Sequence, residues 1–325
     1  MRRREFISLV GGAAAGWPGV ARAQPALPVV GFLSPTSAQA YARQSAAFRE
    51  GLQQAGYREG QNMAIEYRWA DNQNDRLPAF AVDLVRRQVT VIASTGLPAT
   101  LAAKLATPTI SIVFQTGFDP VETGLVTGLN RPDGNLTGVT TFALELEPKR
   151  LELLRELVPG ASAVGVLFNP DTRGSENRLS ELYAAARTLG LQLHILHASN
   201  ERDFDTIFAS LGQLKIGALA IGADAFFNSR SEQLAALALR YAVPTIYQFR
   251  EFVAAGGLVS YGGSLTDAHR LVGVYTGRIL KGEKPADLPV QQVTKVELII
   301  NLRTAKTFGI AVPPTLLARA DEVIE

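Results

Sequence analysis

In this chain, short apolar runs alternate with amphipathic segments of helical length, and this pattern occurs twice. It is the feature that most constrains the fold. Such alternation is typical of β-α-β units, which build parallel sheets covered by helices. In the first round, we expect strands at residues 29–33, 63–67, 89–93, 111–114 and 136–140. We expect helices between them at residues 38–55, 75–87 and 98–106, where apolar residues recur at three- and four-residue spacing.

The same alternation then begins again. We expect helices at residues 147–157, 176–189, 204–211 and 231–241, and strands at residues 163–168, 192–196, 218–222 and 245–247. Two such halves predict an α/β fold with two flavodoxin-like (Rossmann-like) lobes, each with a parallel sheet, joined by a multi-segment hinge.

The order of the elements also predicts how the chain divides. We place lobe 1 at residues 28–141 and lobe 2 at residues 142–257. We expect residues 258–325 to form a return segment that packs mainly on lobe 1 and contains an amphipathic helix at residues 265–280. We expect hinge crossovers near residues 140–144 and 255–262.

The amino-terminal residues have the pattern of an export signal. Three arginines at residues 2–4 precede an apolar, Gly- and Ala-rich stretch at residues 8–20, which ends in Ala21-Arg22-Ala23. This pattern predicts a signal peptide of twin-arginine type over residues 1–23, cleaved after Ala23, and a periplasmic mature protein. The alternative is an uncleaved membrane anchor, but the apolar stretch is shorter than the roughly 20 residues that a spanning helix needs.

Composition excludes several classes of function. The chain has no cysteine, so disulfides, thiolate metal sites and cysteine nucleophiles are absent. Removal of residues 1–23 takes away four arginines and one glutamate, which changes the formal net charge from +2 to −1. Since no Lys/Arg cluster lies beyond the signal, nucleic acid is not an expected partner.

The predicted topology selects the loops that can form a ligand site. In open parallel sheets, ligands bind beyond the carboxyl ends of the strands where the strand order reverses. In lobe 1 these loops contain Ser34 and Thr36 after the first strand, and Thr95, Gly96 and Leu97 after the third. Hydroxyls and a glycine before a helix can expose backbone N–H groups to a carboxylate. The alternative is that the hydroxyls only cap the helix.

In lobe 2 the corresponding loops contain Asn169 and Asp224. Asp224 could accept a hydrogen bond from a ligand ammonium or hydroxyl, or it could cap the following helix. Thr116 and Asp119 follow the fourth strand of lobe 1 and could reach the cleft, although Asp119 could instead cap a turn. Tyr247 follows the fourth strand of lobe 2 and could supply an aromatic wall, or it could pack in the core or hinge.

Sequence motifs of catalysis are missing. The three histidines, at residues 194, 197 and 269, do not have the spacing of a metal site. There is no Gly-x-Ser-x-Gly elbow and no P-loop. We therefore expect a protein that is not an enzyme and that holds no metal or cofactor.

Several stretches together carry a family resemblance. These are VGFLS at residues 30–34, FREGLQQAGY at 48–57, GQNMAIEYRWA at 60–70, DRLP at 75–78, LNRPDGNLTG at 129–138 and KRLELLRELVP at 149–159. With them, the chain resembles the ABC transporter substrate-binding proteins that include tryptophan-binding TrpX-like lipoproteins, within the type 1 periplasmic binding protein superfamily.

The resemblance implies a protein that closes two lobes around a small molecule, an amino acid or a related carboxylate, and delivers it to an ABC permease and ATPase. We expect the mature protein to be a monomer. The resemblance also implies ligand-facing roles for Ser34, Thr95, Gly96, Thr116, Asp119, Asn169, Asp224 and Tyr247. Two departures from relatives are Leu97, where a smaller residue is common, and the absence of a lipobox cysteine. A periplasmic sensor subunit with the same lobes, or less readily an α/β enzyme, remains an alternative.

Overall fold

A computed structural model describes residues 27–141, 146–170 and 175–325. The predicted signal peptide lies outside the described residues, as does most of the predicted crossover at residues 140–144. Two sheets organise the described chain. We call the first sheet with its helices lobe 1, and the second sheet with its helices lobe 2. This arrangement confirms the predicted α/β fold of two lobes with largely parallel sheets.

Lobe 1 is built around a six-stranded sheet with the order β2-β1-β3-β4-β5-β11, in which β11 is Gln291–Gln292. Its first five strands are β1 (Val29–Ser34), β2 (Ala64–Trp69), β3 (Val91–Thr95), β4 (Ser111–Thr116) and β5 (Leu136–Thr140). The helices between them are α1 (Ala42–Gln54), α2 (Leu77–Arg86) and α3 (Gly96–Ala106). All strand pairs of this sheet are parallel.

Lobe 2 is built around a seven-stranded sheet with the order β13-β12-β10-β9-β8-β6-β7, in which β12 is Val296–Asn301 and β13 is Glu322–Ile324. Its elements up to residue 263 are α4 (Glu147–Leu157), β6 (Ala163–Phe168), α5 (Ser175–Thr188), β7 (Gln192–His197), α6 (Glu201–Ser210), β8 (Ala218–Ile221), α7 (Ala225–Ser229), α8 (Ser231–Arg240), β9 (Thr245–Tyr247), α9 (Arg250–Ala254) and β10 (Val259–Gly263). In each sheet, the first five strands along the chain have the predicted flavodoxin-like order, in which the second of them lies at one edge of the sheet.

The carboxyl-terminal elements correct the predicted return segment. They are α10 (Leu265–Leu280), β11 (Gln291–Gln292), β12 (Val296–Asn301), α11 (Leu302–Thr307), α12 (Pro314–Leu317) and β13 (Glu322–Ile324). Of these elements, α10 and β11 join lobe 1, whereas β12 and β13, like β10, extend the sheet of lobe 2. The prediction that residues 258–325 pack mainly on lobe 1 is therefore wrong for these strands. The physical reason is that β10 continues the parallel order beside β9, and β12 then pairs with it antiparallel.

Helix α10 joins lobe 1 through a close helix pair with α1. A Cβ atom at Gly273 would lie 2.1 Å from the carbonyl oxygen of Phe48, and one at Gly51 would lie 1.9 Å from that of Arg270. Glycine at these two positions lets the helix backbones approach until apolar residues such as Val272 and Leu52 pack beneath them. The amphipathic pattern predicted at residues 265–280 is thus accounted for by a contact with α1.

Three chain segments cross between the lobes side by side. The first follows β5, the second joins β10 to α10 at Ser264, and the third joins β11 to β12. The backbone N–H of Val293 donates to the carbonyl of Thr140 (2.8 Å), and that of Ser264 donates to the carbonyl of Lys295 (3.0 Å). The second crossover therefore lies just after the predicted 255–262, which belong to lobe 2, and the third was not predicted.

Candidate ligand-binding cleft

A cavity of about 330 Å³ lies between the lobes at the carboxyl ends of their parallel strands. Its volume falls within the roughly 300–1,000 Å³ of small-molecule pockets. Lobe 1 lines it with Pro35, Thr36, Tyr41, Asn72, Asn74, Gly96, Leu97, Pro98, Gln115, Gly117 and Phe118, and the first residue of α10, Leu265, adds to this wall. Lobe 2 lines it with Asn169, Ala223, Asp224, Phe226, Asn228, Ser229, Arg230, Gln248, Phe249, Glu251 and Phe252.

Half of the residues predicted from sequence lie on this cavity. They are Thr36, Gly96, Leu97, Asn169 and Asp224. They come from four different loops, each of which follows a strand near the point where the strand order reverses. The topology therefore brings together loops that are far apart in sequence.

Ser34 and Thr95 lie behind the cavity wall, fully buried at the ends of β1 and β3. The Thr95 hydroxyl donates to Ser34 Oγ (3.0 Å), and Ser34 Oγ lies 3.2 Å from Thr36 Oγ1. The predicted role as direct ligand contacts is not supported for Ser34 and Thr95, because their hydroxyls bond to each other. They instead fix the loop that carries Thr36 into the cavity.

The amino terminus of α3 faces the cavity without a side-chain cap. Thr95 occupies the N-cap position but makes no capping hydrogen bond, because its hydroxyl is directed to Ser34. Ser94 does not cap either, since its hydroxyl bonds to Thr100 Oγ1 (3.0 Å). The N–H groups of Gly96 and Leu97 begin the helix, where the macrodipole favours negative charge. This end of the cavity can therefore receive an anion.

Three other predicted residues have structural roles. Asp224 caps α7, because its Oδ1 accepts from the N–H of Phe226 (2.7 Å). Asp119 caps a turn by accepting from the N–H of Val121 (2.7 Å) and does not line the cavity. Thr116 is fully buried, and its Oγ1 accepts from the N–H of Phe118 (3.2 Å). For both aspartates, the capping alternative describes the observed hydrogen bonds, and Thr116 and Asp119 do not reach the cavity.

Tyr247 does not form the predicted aromatic wall. Its side chain is fully buried within lobe 2 and stacks on Phe252, with ring centroids 4.7 Å apart. Burial raises the pKa of the Tyr247 phenol above its usual range, so the phenol stays neutral. The prediction is wrong for this residue because successive strand residues alternate between faces, and Tyr247 points into the layer beneath α9. Phe249 and Phe252 line the cavity in its place, together with Phe226.

The polar residues that follow β9 were not predicted as part of the site. Gln248 lines the cavity, and its Nε2 donates to Asn228 Oδ1, while its buried Oε1 has no hydrogen-bond partner among the described residues. Glu251 lies in the first turn of α9 and also lines the cavity. Its Oε2 is buried and has no partner in the described part of the chain. The only sequence signal was their position after a predicted strand of lobe 2.

Glu251 also connects the lobes. Its Oε1 accepts a hydrogen bond from Nε2 of Gln44 in α1, so the carboxylate of lobe 2 is held against lobe 1. Burial raises the pKa of the Glu251 carboxyl above its usual range, whereas a backbone hydrogen bond at Glu251 itself and the charges of Arg43 and Arg250 favour its ionised form. Burial and the nearby Glu251 charge raise the pKa of the Tyr41 phenol, which therefore stays neutral. The contact with Gln44 requires the lobes to be closed.

Behind the lobe 2 wall lies a buried ionic cluster. Glu147 Oε1 accepts from Arg178 Nη2 (2.7 Å) and from the backbone N–H of Ala223 (2.9 Å). Burial lowers the pKa of Arg150 to about 10, which leaves it charged at neutral pH, and its Nε donates to the carbonyl of Tyr261 (2.8 Å). The cluster holds the loop at Ala223 and Asp224 against the start of α4, next to the first crossover.

The described residues show no cluster of three or more His, Cys, Asp or Glu that could hold a metal ion. In the same residues, no helix is both long enough and apolar enough to span a membrane.

Comparisons with known proteins identify the family. The chain is 28% identical over 259 residues to the tyrosine-binding protein of Clostridioides difficile, which covers 80% of this chain and 74% of that protein. A conserved domain protein from Vibrio cholerae has a TM-score of 0.81 at 25% identity, and the ABC domain in complex with L-Trp from Streptococcus pneumonia has 0.80 at 23%. Each of these two structures covers 91% of this chain and is itself 99% covered.

The model of one family, described as ABC transporter substrate binding protein, matches residues 29–324. Proteins of this family are binding proteins rather than enzymes. They bind a small ligand and work with permease and ATPase components. Since the match spans nearly the whole chain, this protein belongs to the ABC transporter substrate binding protein family and is the solute-binding component of such a transporter.

Proposed function

We propose that this protein captures an α-amino acid with an aromatic or large apolar side chain, in the cleft between its lobes, for import. The observation that carries the proposal is the composition of the cavity. An uncapped helix amino terminus lies on the lobe 1 side, and an aromatic wall lies on the lobe 2 side. This pairing suits a ligand with a carboxylate at one end and an apolar group at the other.

The carboxylate would bind at the start of α3. The N–H groups of Gly96 and Leu97 can donate to its oxygens, and hydrogen bonds to a charged group contribute about 1.5–3 kcal/mol each. The Gly96 backbone has a positive φ of 74°, which glycine adopts without strain. The side chain of Leu97 also lines the cavity and limits the room beside the carboxylate.

The apolar side chain would pack against Phe226, Phe249 and Phe252. Phe226 is itself held in place, because it stacks on Phe204 with ring centroids 5.3 Å apart. Two relatives support an aromatic ligand, since one is described as a tyrosine-binding protein and the other was solved with L-Trp. We propose that the bound amino acid is released unchanged, without turnover.

The proposal extends to where the protein works. Residues 1–23 would direct export by the twin-arginine pathway and be removed after Ala23, which would place the mature protein in the periplasm. We propose that it acts there as a monomer, which opens and closes about the three crossovers and presents the closed form to the permease.

Thermal unfolding of the purified protein tests this function. The panel consists of the amino acids, each aromatic one accompanied by the amine that lacks its carboxylate. A ligand that binds only the folded state adds about 2.7 kcal/mol of stability at one hundred times its dissociation constant, which raises the unfolding midpoint by several degrees. We expect a rise with one or more aromatic or large apolar amino acids and none with the amines. If no amino acid raised the midpoint, the proposal would be wrong.

A further inference from the structure

Two buried acceptor atoms on the lobe 2 wall have no donor. They are Glu251 Oε2 and Gln248 Oε1, which are both buried and without a hydrogen-bond partner among the described residues. Both residues line the same cavity and lie three positions apart, on either side of the start of α9. A buried polar atom without a partner is unfavourable, so such atoms in a cleft indicate where a donor is expected to bind.

The charge of the site indicates what kind of donor fits. Glu251 is a carboxylate, and the charges of Arg43 and Arg250 act on it without a salt bridge to either of them among the described residues. Arg250 makes a salt bridge with Glu322, in which the guanidinium Nε donates to Oε2 at 2.6 Å, and Arg230 is paired with Glu201. Among the described residues, Glu251 itself makes no salt bridge within 4.0 Å. A ligand cation would supply the missing charge.

The other carboxylate of the cavity is not comparable. Asp224 Oδ1 accepts two backbone N–H groups at the start of α7, from Phe226 and Phe227. Those hydrogen bonds satisfy its charge within the protein. The sequence alone suggested Asp224 as the acceptor for a ligand ammonium, and the contacts favour Glu251 instead.

The hydrogen bond between Gln44 and Glu251 ties the ligand acceptor to the closed state of the lobes. Gln44 of α1 donates to Glu251 Oε1, which leaves Oε2 for a second donor. Because Gln44 belongs to lobe 1, this arrangement exists only when the lobes are closed. A cation that binds Oε2 would therefore bind the closed state better than the open state and shift the population toward it.

We infer that Glu251, together with the side-chain oxygen of Gln248, receives the ammonium group of the ligand. The inference rests on the proposed function and specifies it, because it requires the ligand to carry a primary ammonium besides the carboxylate bound at α3. Carboxylates without an amine would lack the partner for Glu251 and bind weakly.

The experiment measures the affinities of wild type and Glu251→Gln for two probes by calorimetry. The probes are L-tyrosine and 3-(4-hydroxyphenyl)propionate, which lacks only the amine; if the thermal panel identifies another amino acid, that acid and its desamino analogue take their place. We expect wild type to bind the amino acid about 100-fold more tightly than the desamino acid, and E251Q to lose most of that preference. The affinity of E251Q for the desamino acid should remain within about threefold of wild type.

Two further variants separate recognition from folding and closure. Glu322→Gln removes the salt-bridge partner of Arg250, the neighbour of Glu251 in α9, but changes no residue that lines the cavity. This variant should keep the wild-type preference for the amino acid over the desamino acid. Gln44→Ala removes a contact between the lobes and should weaken the binding of both probes. If E251Q does not fold, Glu251→Asp keeps the charge on a shorter side chain and should reduce the preference only in part.

The outcomes distinguish the inference from the function on which it rests. If E251Q bound the amino acid as tightly as wild type, or weakened both probes equally, Glu251 would not receive the ammonium, although amino acid binding would stand. Equal affinity of wild type for both probes would lead to the same conclusion. If wild type bound no amino acid of the panel, the proposed function and the inference would both be wrong.

Discussion

The two walls of the cleft leave opposite kinds of hydrogen-bonding groups open. On lobe 1, the side-chain hydroxyls of Ser34, Thr36 and Thr95 bond to one another, and the backbone N–H donors at the start of α3 have no side-chain cap. On lobe 2, the open groups are side-chain acceptors, Gln248 Oε1 and Glu251 Oε2. Each wall therefore complements one charged end of an amino acid, and only the closed cleft complements both.

The walls also differ in how they are supported. The aromatic wall of lobe 2 is part of that lobe's core, since Phe249 and Phe252 belong to the same apolar cluster as Tyr247. On lobe 1, Phe118 lines the cavity from a loop and is only half-buried. We expect substitutions in the lobe 2 wall to affect stability and binding together, whereas the lobe 1 wall can be changed with less effect on folding.

The largest effect we predict comes from Phe252→Ala. Phe252 is 1% exposed and stacks on Tyr247, so its truncation leaves a cavity in the core and should lower the free energy of unfolding by about 3–5 kcal/mol. Phe118→Ala is the matched change on lobe 1 and should cost about 1 kcal/mol. Urea unfolding of both variants measures the difference. Equal losses would show that the two walls are supported alike.

The second prediction uses two buried groups with opposite pH dependence. His269 of α10 is fully buried in lobe 1, where its Nδ1 lies 2.7 Å from the Leu265 carbonyl oxygen, and burial lowers its pKa from 6.5 to about 4. The unfolded chain therefore binds a proton below pH 6.5 that the folded chain binds only near pH 4. Stability from this histidine is present at neutral pH and is lost, by about 3 kcal/mol, as the pH falls from 6.5 to 4.

Glu251 acts in the other direction. Its pKa is raised in the folded protein, so the folded chain holds a proton at a pH where the unfolded chain has lost it. Its contribution to stability therefore improves as the pH falls through the raised pKa toward 4.5. Thermal unfolding between pH 4 and pH 7 should show a shallower acid loss for His269→Gln than for wild type, and a steeper one for Glu251→Gln. The same slope in all three proteins would contradict this assignment.

Much of the fold could be predicted from the sequence because hydrophobic periodicity determines it. The strands at residues 136–140 and 163–168 and the helix at residues 265–280 were predicted with the observed bounds, because apolar runs and helical periodicity are local patterns that the sequence shows directly. The destination of β12 and β13 could not be predicted in this way. Either sheet could accept an apolar edge strand, and the choice depends on pairing with β10, which no local pattern encodes.

The cleft residues were harder to predict, because the elements that carry them are short and because side chains along a strand alternate between the two faces of the sheet. Strand β9 has three residues, and a shift of one residue exchanges the faces of Tyr247 and Gln248, so the sequence could not show which of them points into the cleft. Helix α9, which carries Glu251, has five residues and no periodic signal. The loops after strands were predictable from topology, but whether Asp224 caps a helix or binds a ligand depends on backbone geometry that the sequence does not reveal.

The smallest effect we predict comes from Thr95→Val, which tests whether Thr95 supports the cleft or contacts the ligand. Valine keeps the shape and the β-branch of threonine but removes the hydroxyl that donates to Ser34 Oγ. The buried Ser34 hydroxyl loses a partner, so the free energy of unfolding should fall by about 1 kcal/mol. The backbone N–H groups of Gly96 and Leu97 remain, so affinity for the amino acid should stay within about threefold. A loss of more than about tenfold in calorimetry, which corresponds to a hydrogen bond to the ligand, would instead restore the ligand contact that the sequence suggested.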